Sequence, residues 1–459
     1  MLRKKASRVL QRLEAAGHQA YLVGGCVRDL LRGAEPHDMD ITTSARPEEV
    51  LALFEGFAIP TGLQHGTVTV RQDGEHFEVT TFRADGEYSD HRRPDSVRFS
   101  DSLQEDLRRR DFTVNAMAMD LRGRVYDFHG GAADLQKGII RCVGDPAVRF
   151  NEDALRIMRA LRFAATLTFS IEEKTAAAME RCGPLLHHIA AERLREEMTK
   201  LLLGDAAAEI LMRYPQIFGV FLPEVLPCVG FDQQNFHHLY DVWAHTAHAV
   251  AAAPKDALLR WTMLLHDLGK PTCFTVDGSG VGHFYGHDAL GARMAAEITA
   301  RLRFDKKTAA RIELLIARHM RQMEPTEKAV GRVLRQLGEE ALRQLLIVKR
   351  ADAAACHPDY AWQTQQLDAV EEVLERLLAQ EACFTLRDLA VDGHDLMALG
   401  LRGRAIGETL DALLERVAEG ELPNDKETLL AWAMNPPGFA IGETTPLWAR
   451  GAQRNDKKP

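Results

Sequence analysis

No stretch of this chain is long and apolar enough to span a bilayer. A secretory signal is missing too: the opening residues, MLRKKASRVLQRLEAAG, are charged and amphipathic, with no continuous apolar core. The seven cysteines are scattered, without a Cys-x-x-Cys pair or regular spacing. That argues against a disulfide framework and against a zinc ribbon, and a reducing cytoplasm is the expectation. There is no excess of positive charge either. The net charge is −9, which taken alone argues against a nucleic-acid partner. No internal repeat is visible. What remains is 459 residues of ordinary globular composition, 46% hydrophobic and 27% charged, enough for several domains and a substantial core.

The positive charge that is present is clustered. HRRP occupies 91–94, RRRD occupies 108–111, and Arg156, Arg159 and Arg162 fall in one predicted helix. A local basic surface, rather than net charge, is what contacts phosphates. The first 145 residues alternate between strand and helix signals. Residues 3–16 predict an amphipathic helix stopped at Gly17, and QAYLVGG, MDITT, GTVTVRQ, HFEVTTFR and RVYDFHG read as strands of one mixed sheet. The polar segment between Ala84 and Phe99 reads as a mobile loop. Beyond about residue 145 strand signals vanish and helical periodicity takes over. The expected class is α+β.

Two features of the first part carry chemistry. LVGGCVRDLL joins a strand to a helix through Gly24-Gly25, a turn whose backbone N–H groups can approach a phosphate. HDMDIT follows, with Asp38 and Asp40 two apart in what reads as a short strand and so on one face. Carboxylates that close repel one another unless a cation lies between them. Beside a phosphate-cradling turn they suit Mg²⁺ and a nucleotide, and two such ions can activate a hydroxyl and stabilise leaving pyrophosphate. Alone, a Gly-Gly turn is a tight turn and a lone Asp-x-Asp a solvated strand end. Together they are far more specific.

LVGGCVRDLLRG, HDMDITT, RRDFTVNAMAMD and EDALRIMRALRFA, in that order, resemble the motifs of the class II tRNA nucleotidyltransferases, within the DNA polymerase β superfamily. That family holds the CCA-adding enzymes and bacterial poly(A) polymerases. The resemblance covers residues 20 to about 205 and resumes in the tail at GHDLMALGLRGRAIGETLDALLERVAEGELPNDKETLL. It implies that Asp38 and Asp40 are catalytic and hold Mg²⁺, with Glu78 as a third carboxylate. It implies that Gly24, Gly25 and Arg28 take the triphosphate, and that Arg110, Asp111 and Asn115 surround ribose and phosphates. Asp153 and Arg156, with Arg159 and Arg162, would contact the nucleotide. In one helix Asp153 and Arg156 share a face, and an acceptor beside a planar donor fork can read the edges of cytosine and adenine. The family uses that pair as a protein template; without the flanking motifs it would pass for a surface ion pair. In the family a loop at the position of 84–98 accompanies the switch to ATP, which favours full CCA addition here.

The helical half holds a second constellation. His266-Asp267, followed by Gly-Lys-Pro, is similar to the signature of HD-type metal-dependent phosphohydrolases. Matching ligands are His245, His266, Asp267 and Asp352, with His287 and His319 where two-metal relatives place more. Imidazoles and carboxylates suit a divalent transition metal such as Mn, Ni, Co or Fe. A single buried histidine is usually core, whereas six groups in this order are not.

The resemblance implies a small mixed-sheet nucleotidyltransferase head at 1–145, a helical neck carrying the nucleotide-selecting helix at 146–225, an HD body at 226–370, a helical tRNA-binding tail at 371–440 and a poorly ordered end at 441–459. The expected substrates are CTP, ATP and the acceptor arm of tRNA, recognised by shape and backbone. Three rivals stand beside this reading: an A-adding or poly(A) polymerase of the same family, an HD hydrolase whose head only binds RNA, and a nucleotide-alarmone enzyme, which places its HD domain first. Nothing in the sequence speaks to oligomeric state.

Overall fold

The computed structural model describes residues 2–85, 97–236, 238–357, 359, 362–379, 386, 388–418 and 421–434. Helix α1, Leu2–Ala15, forms because Ala6, Val9, Leu10 and Leu13 recur at helical spacing and bury one face. Gly17, at φ +90°, follows its end, as its position predicts.

The sheet beneath has seven strands in the order β3-β4-β5-β2-β1-β8-β9. They are β1 Ala20–Val23, β2 Ile41–Thr43, β3 Ala58–Gly62, β4 Thr67–Gln72, β5 Glu75–Thr81, β8 Met117–Met119 and β9 Val125–Asp127. β2 and β5 run parallel, and the other neighbours are antiparallel, so the sheet is mixed as expected. Alternation places Val68, Val70, Phe77 and Val79 in the core. Pro60, lacking an N–H, lies in the edge strand β3, where the register shifts between Ile59 and Gly62. Helices α2, Gly25–Leu31, α3, Pro47–Leu53, α4, Leu103–Arg108, and α5, Gly131–Lys137, complete this part.

The segment read as a loop differs at its ends. β6, Arg83–Asp85, and β7, Val97–Phe99, pair antiparallel as a hairpin stem, and residues 86–96 lie outside the described residues. Strand character does not stop at 145 either. β10, Ile139–Ile140, pairs with β11, Ser170–Ile171, and β12, Thr275–Val276, with β13, Gly282–His283. Two-residue ladders bury too little to leave a periodic signal.

Helices follow: α6 Pro146–Glu152, α7 Leu155–Leu167, α8 Glu173–Cys182, α9 Ala191–Leu202, α10 Ala207–Arg213, α11 Pro215–Gly219, α12 Val242–Ala252, α13 Ala257–Leu265, α14 Lys270–Cys273, α15 His287–Arg301 and α16 Lys306–Arg318. α7 is buried along most of its length and packs on α9. The chain forms two compact units, Met1–Ala317 and Arg318–Pro459, and the boundary falls inside the span 226–370. Among the described residues the second unit contains α17 Glu327–Leu337, α18 Glu339–Ala354, α19 Trp362–Ala379, α20 Gly393–Ala398, α21 Arg404–Ala418 and α22 Lys426–Met434. Its last three helices close over Leu389, Val391, Leu413 and Leu429. The expected poorly ordered end, 441–459, lies outside the described residues. No helix among them is long and apolar enough to cross a membrane.

The turn after α9 is held against α7 by the absence of a side chain. A Cβ on Gly204 would come 2.6 Å from the carbonyl carbon and oxygen of Ala165. Gly204→Ala is therefore expected to cost about 1–3 kcal/mol, seen as a lowered midpoint in differential scanning calorimetry. An unchanged midpoint would mean that α7 and this turn separate freely.

Candidate active site and a histidine–aspartate cluster

The two aspartates lie just before β2 rather than inside it. The ladder nevertheless continues past the strand end, because Val23 N–H donates to Asp40 O at 3.0 Å. Met39, between them, is 3% exposed and belongs to the core, so alternation leaves Asp38 and Asp40 on the opposite side. In the parallel β2–β5 register Ile41 faces Val79, which sets Glu78 beside Asp40. Glu78 is exposed while Phe77 and Val79 are buried. Burial pushes the Asp40 carboxyl up to about 6, the charges of Asp38 and Glu78 push the same way, and Arg110 opposes them. Three carboxylates thus repel one another beside the central strands β2 and β5. An all-oxygen, acidic donor set fits a hard divalent cation.

The Gly24 turn follows β1, the neighbour of β2 in the sheet. Gly24 sits at φ 80°, ψ −134°, a region closed to side chains, and its N–H donates to Met117 O at 3.2 Å. A Cβ there would come within 3.1 Å of Arg110 Nη1. Arg28 turns inward. Its Nε and Nη2 grip Asp29 at 2.8 and 3.0 Å, and its Nη1 donates to Asn115 Oδ1 at 2.7 Å.

From Asn115 the network crosses from the sheet to α7. Asn115 Nδ2 donates to Asp111 Oδ1 at 3.2 Å, and Arg159 donates from Nε and Nη2 to Asp111 Oδ2 at 2.8 and 2.6 Å. Burial would raise the Asp111 carboxyl, but the Arg159 charge and hydrogen bonds, with Arg156 and Asn115, hold it at about 2. Glu197 of α9 forms an ion pair with Arg162, its Oε2 2.7 Å from Nε, and lies 3.9 Å from Arg159. The Phe163 ring carries the guanidinium groups of Arg28, Arg159 and Arg162, 5.3, 5.4 and 4.0 Å from its centre.

Asp153 and Arg156 do not share a continuous helix. The chain breaks at Asp153, which is extended at φ −141°, ψ 103°, between α6 and α7. Its carboxylate caps α7 by accepting Leu155 N–H at 3.1 Å and meets Arg193 at 3.5 Å. Arg156, in the first turn of α7, donates instead to Glu152 at 2.7 Å and to Arg109 O at 3.2 Å. An aspartate just before an apolar helical run is an N-cap signal, and it outweighs the spacing of three that suggested a shared face.

The second constellation is built in the first unit from α12, the end of α13 and the start of α15. His245 and His266 are 0% exposed, Asp267 1% and His287 4%. The Nε2 atoms of His245 and His266 lie 3.4 and 3.2 Å from Asp267 Oδ2, and that of His287 lies 3.5 Å from Oδ1. Nδ1 of His266 meets Met263 O at 2.7 Å, and Nδ1 of His287 meets Phe284 O at 2.6 Å. A carbonyl accepts only, so Nδ1 carries a proton and Nε2 is the ring nitrogen turned toward the carboxylate. Lys270 Nζ forms an ion pair with Asp267 Oδ2 at 2.7 Å and donates to Gln233 at 2.9 Å. Burial opposes ionisation of Asp267, yet His266 and Lys270 hold its carboxyl well below the usual range. Three imidazole nitrogens converging on one buried carboxylate fit a divalent transition metal. His319 and Asp352 belong to the second unit, where His319 is buried and its carbonyl accepts Lys349 Nζ at 2.6 Å.

Residues 20–141 match the poly A polymerase head domain, 168–228 the probable RNA and SrmB-binding site of polymerase A, and 291–433 the putative tRNA nucleotidyltransferase domain 2. The CCA-adding enzyme of Geobacillus thermodenitrificans is 37% identical over 94% of this chain and 96% of its own length. The CCA-adding enzyme of Levilactobacillus brevis is 38% identical over 92% and 95%. This chain belongs to the CCA-adding enzyme family. The fold agrees: the CCA-adding enzyme of Bacillus stearothermophilus, solved in complex with CTP, superposes with a TM-score of 0.71 at 33% identity, covering 94% of this chain and 96% of that one.

Within this CCA-adding family member the structure gathers Asp38, Asp40, Glu78, Gly24 and Arg110 around the central strands β5, β2 and β1. Arg28, Asn115, Asp111, Arg159 and Arg162 join in one polar chain behind them. Sequence reasoning missed Asp29, Asp106, Phe163 and Glu197. Asp29 and Asp106 sit one and four residues from predicted arginines, a usable signal, whereas the partnership of Glu197 with Arg162 spans 35 residues and leaves none.

Asp111 supports a prediction in pH. Its folded value of about 2 lies below the ordinary 3.8, so the stabilisation is complete above about pH 4 and fades as pH falls toward 2. The difference corresponds to about 2 kcal/mol. Asp111→Asn should unfold at lower urea than wild type at pH 7, and the gap should narrow as pH falls from about 5 to 3. A gap independent of pH would remove the ion pair as its cause.

Proposed function

We propose that this chain adds C, C and A in turn to the 3′ end of tRNA, using CTP and ATP and releasing pyrophosphate. The observation that carries the reading is the trio Asp38, Asp40 and Glu78 bordering the Gly24 turn, in a chain of the CCA-adding family. Asp38 and Asp40, with Glu78, would hold Mg²⁺. When bound, Mg²⁺ lowers the pKa of the attacking 3′-hydroxyl and offsets charge on the leaving pyrophosphate. The residues do the rest. The Gly24 backbone leaves room for the triphosphate, and Arg110 stands over the same turn to pair with it. Arg28, Asp111 and Asn115 form a rigid polar wall for ribose and phosphate. Asp153 and Arg156 would present acceptor and donors to the incoming base, each from its own anchor. Domain limits of 1–145 for the head, 146–225 for the neck, 226–370 for an HD body and 371–440 for a tRNA-binding tail go with this reading.

The test is incorporation on a tRNA transcript ending at the discriminator base. Two additions with CTP alone and a third only with ATP are expected. A long A tail would make the chain a poly(A) polymerase, and addition of A only to a transcript ending in CC would make it an A-adding enzyme. Asp40→Asn should lower incorporation by about a thousandfold or more. Retention of a tenth of the activity would overturn the assignment.

A second reading is supported by the His245, His266, Asp267 and His287 cluster: a phosphohydrolase site holding a transition metal. Loaded with Mn²⁺ or Ni²⁺, the protein should cleave a chromogenic phosphodiester. Asp267→Asn should abolish that cleavage while leaving CTP incorporation within about twofold. Loss of both activities together would instead make the cluster structural.

A further inference from the structure

Asp106 belongs to none of the roles assigned above, yet it touches both sides of the candidate active site. It lies on α4 and is 0% exposed. Its Oδ1 accepts Arg109 Nε at 3.0 Å and Nη2 at 2.7 Å. Its Oδ2 accepts Thr42 Oγ1 at 3.2 Å and Arg110 Nη2 at 3.4 Å. Thr42 is two residues beyond Asp40 on the strand that follows the aspartates, and Arg110 is the cation that opposes their charge.

Arg110 therefore has two ends with different tasks. Nη2 is tied to Asp106, while Nη1 stands over Gly24 at the spot a Cβ would approach to 3.1 Å. A free arginine samples many rotamers, and holding one of them ahead of binding removes that entropy from the binding step. A buried, fixed acceptor does this better than an exposed one, because water does not compete for the guanidinium. Burial disfavours a charged Asp106, and Arg109 and Arg110 outweigh it, so the carboxylate is available as that acceptor.

We propose that Asp106 is a positioning residue for nucleotidyl transfer: it holds Arg110 at the Gly24 turn to receive the triphosphate of either nucleotide. The proposal rests on the reading of the head as a nucleotidyltransferase. It has a distinct consequence. Arg110 addresses phosphates, which CTP and ATP share, so Asp106 governs affinity for both alike and leaves their discrimination untouched.

The experiment measures KM and kcat for CTP and ATP, together with Mg²⁺–CTP and Mg²⁺–ATP affinity by calorimetry, in the full chain. Asp106→Asn should raise both KM values by about tenfold, by the same factor, with kcat within about threefold of wild type. Combined with Arg110→Ala, it should add almost nothing to the single Arg110→Ala loss. Thr42→Val, which leaves both arginines on Asp106, should keep both KM values within about twofold. Arg110→Lys leaves Asp106 paired with Arg109 and Thr42 and guards against misfolding of Asp106→Asn. Its ammonium cannot reach Asp106 and the turn together, so it should reproduce the tenfold rise. Unequal effects on CTP and ATP, additivity with Arg110→Ala, a Thr42→Val loss as large as that of Asp106→Asn, or a wild-type KM in Arg110→Lys would each overturn the proposal. A wild-type protein that incorporates neither nucleotide defeats the reading of the head. The calorimetric affinities still decide the role of Asp106.

Discussion

A carboxylate withdrawn from water must be matched by positive charge, and the first unit is organised around where that match is complete and where it is not. Asp111 is answered by Arg159, Asp106 by Arg109 and Arg110, Glu197 by Arg162, and Asp267 by Lys270. Each pair joins separate segments or adjacent turns, and those of Asp111 and Asp106 are hydrogen-bonded as well, so they fix position as well as charge. Asp40 is the exception. It is half-buried, faces Asp38 and Glu78, and has only the partial opposition of Arg110. The surplus of negative charge there is what a divalent cation neutralises.

The matched pairs explain how an unmatched one is kept in place. Repulsion among Asp38, Asp40 and Glu78 would splay a flexible site. Here the β1–β2 ladder runs past the strand end to Asp40, Met39 is anchored in the core, and Glu78 is set by the parallel register with β5. Behind them the chain Asp29–Arg28–Asn115–Asp111–Arg159 ties the glycine turn to α7, and Phe163 seats three guanidinium groups. Like cations gathered on one ring repel, and Glu197 supplies part of the compensating charge from α9. This polar chain is thus held by α7 and α9 as much as by the strands and the glycine turn.

The histidine–aspartate cluster follows the same logic with softer donors. The proton on Nδ1 of His266 and His287 is fixed by a backbone carbonyl three residues earlier, which commits Nε2 to the centre. Here a lysine shares the carboxylate, so the cluster is compact before any ion enters. The two clusters therefore differ in donor chemistry, oxygen at one and mainly nitrogen at the other.

Much of this was readable from the chain itself. Alternation marked β1, β2, β4, β5 and β9, because a half-buried strand must repeat every two residues, and helical spacing marked α1. The order of the glycine turn, the aspartate pair, RRDFTVNA and NEDALR pointed to the family, since local chemistry is written in local sequence. β3, β8 and the β6–β7 stem were not legible: β3 carries a proline and is mostly exposed, β8 is buried on every residue, and β6 and β7 flank a polar segment. Nor was the break at Asp153, where capping and pairing signals compete for the same aspartate. Residue types, their order and their spacing were determined by the sequence alone. Tertiary structure decided which carboxylates are matched and which are not, because charge compensation depends on distance and burial between segments far apart in the chain.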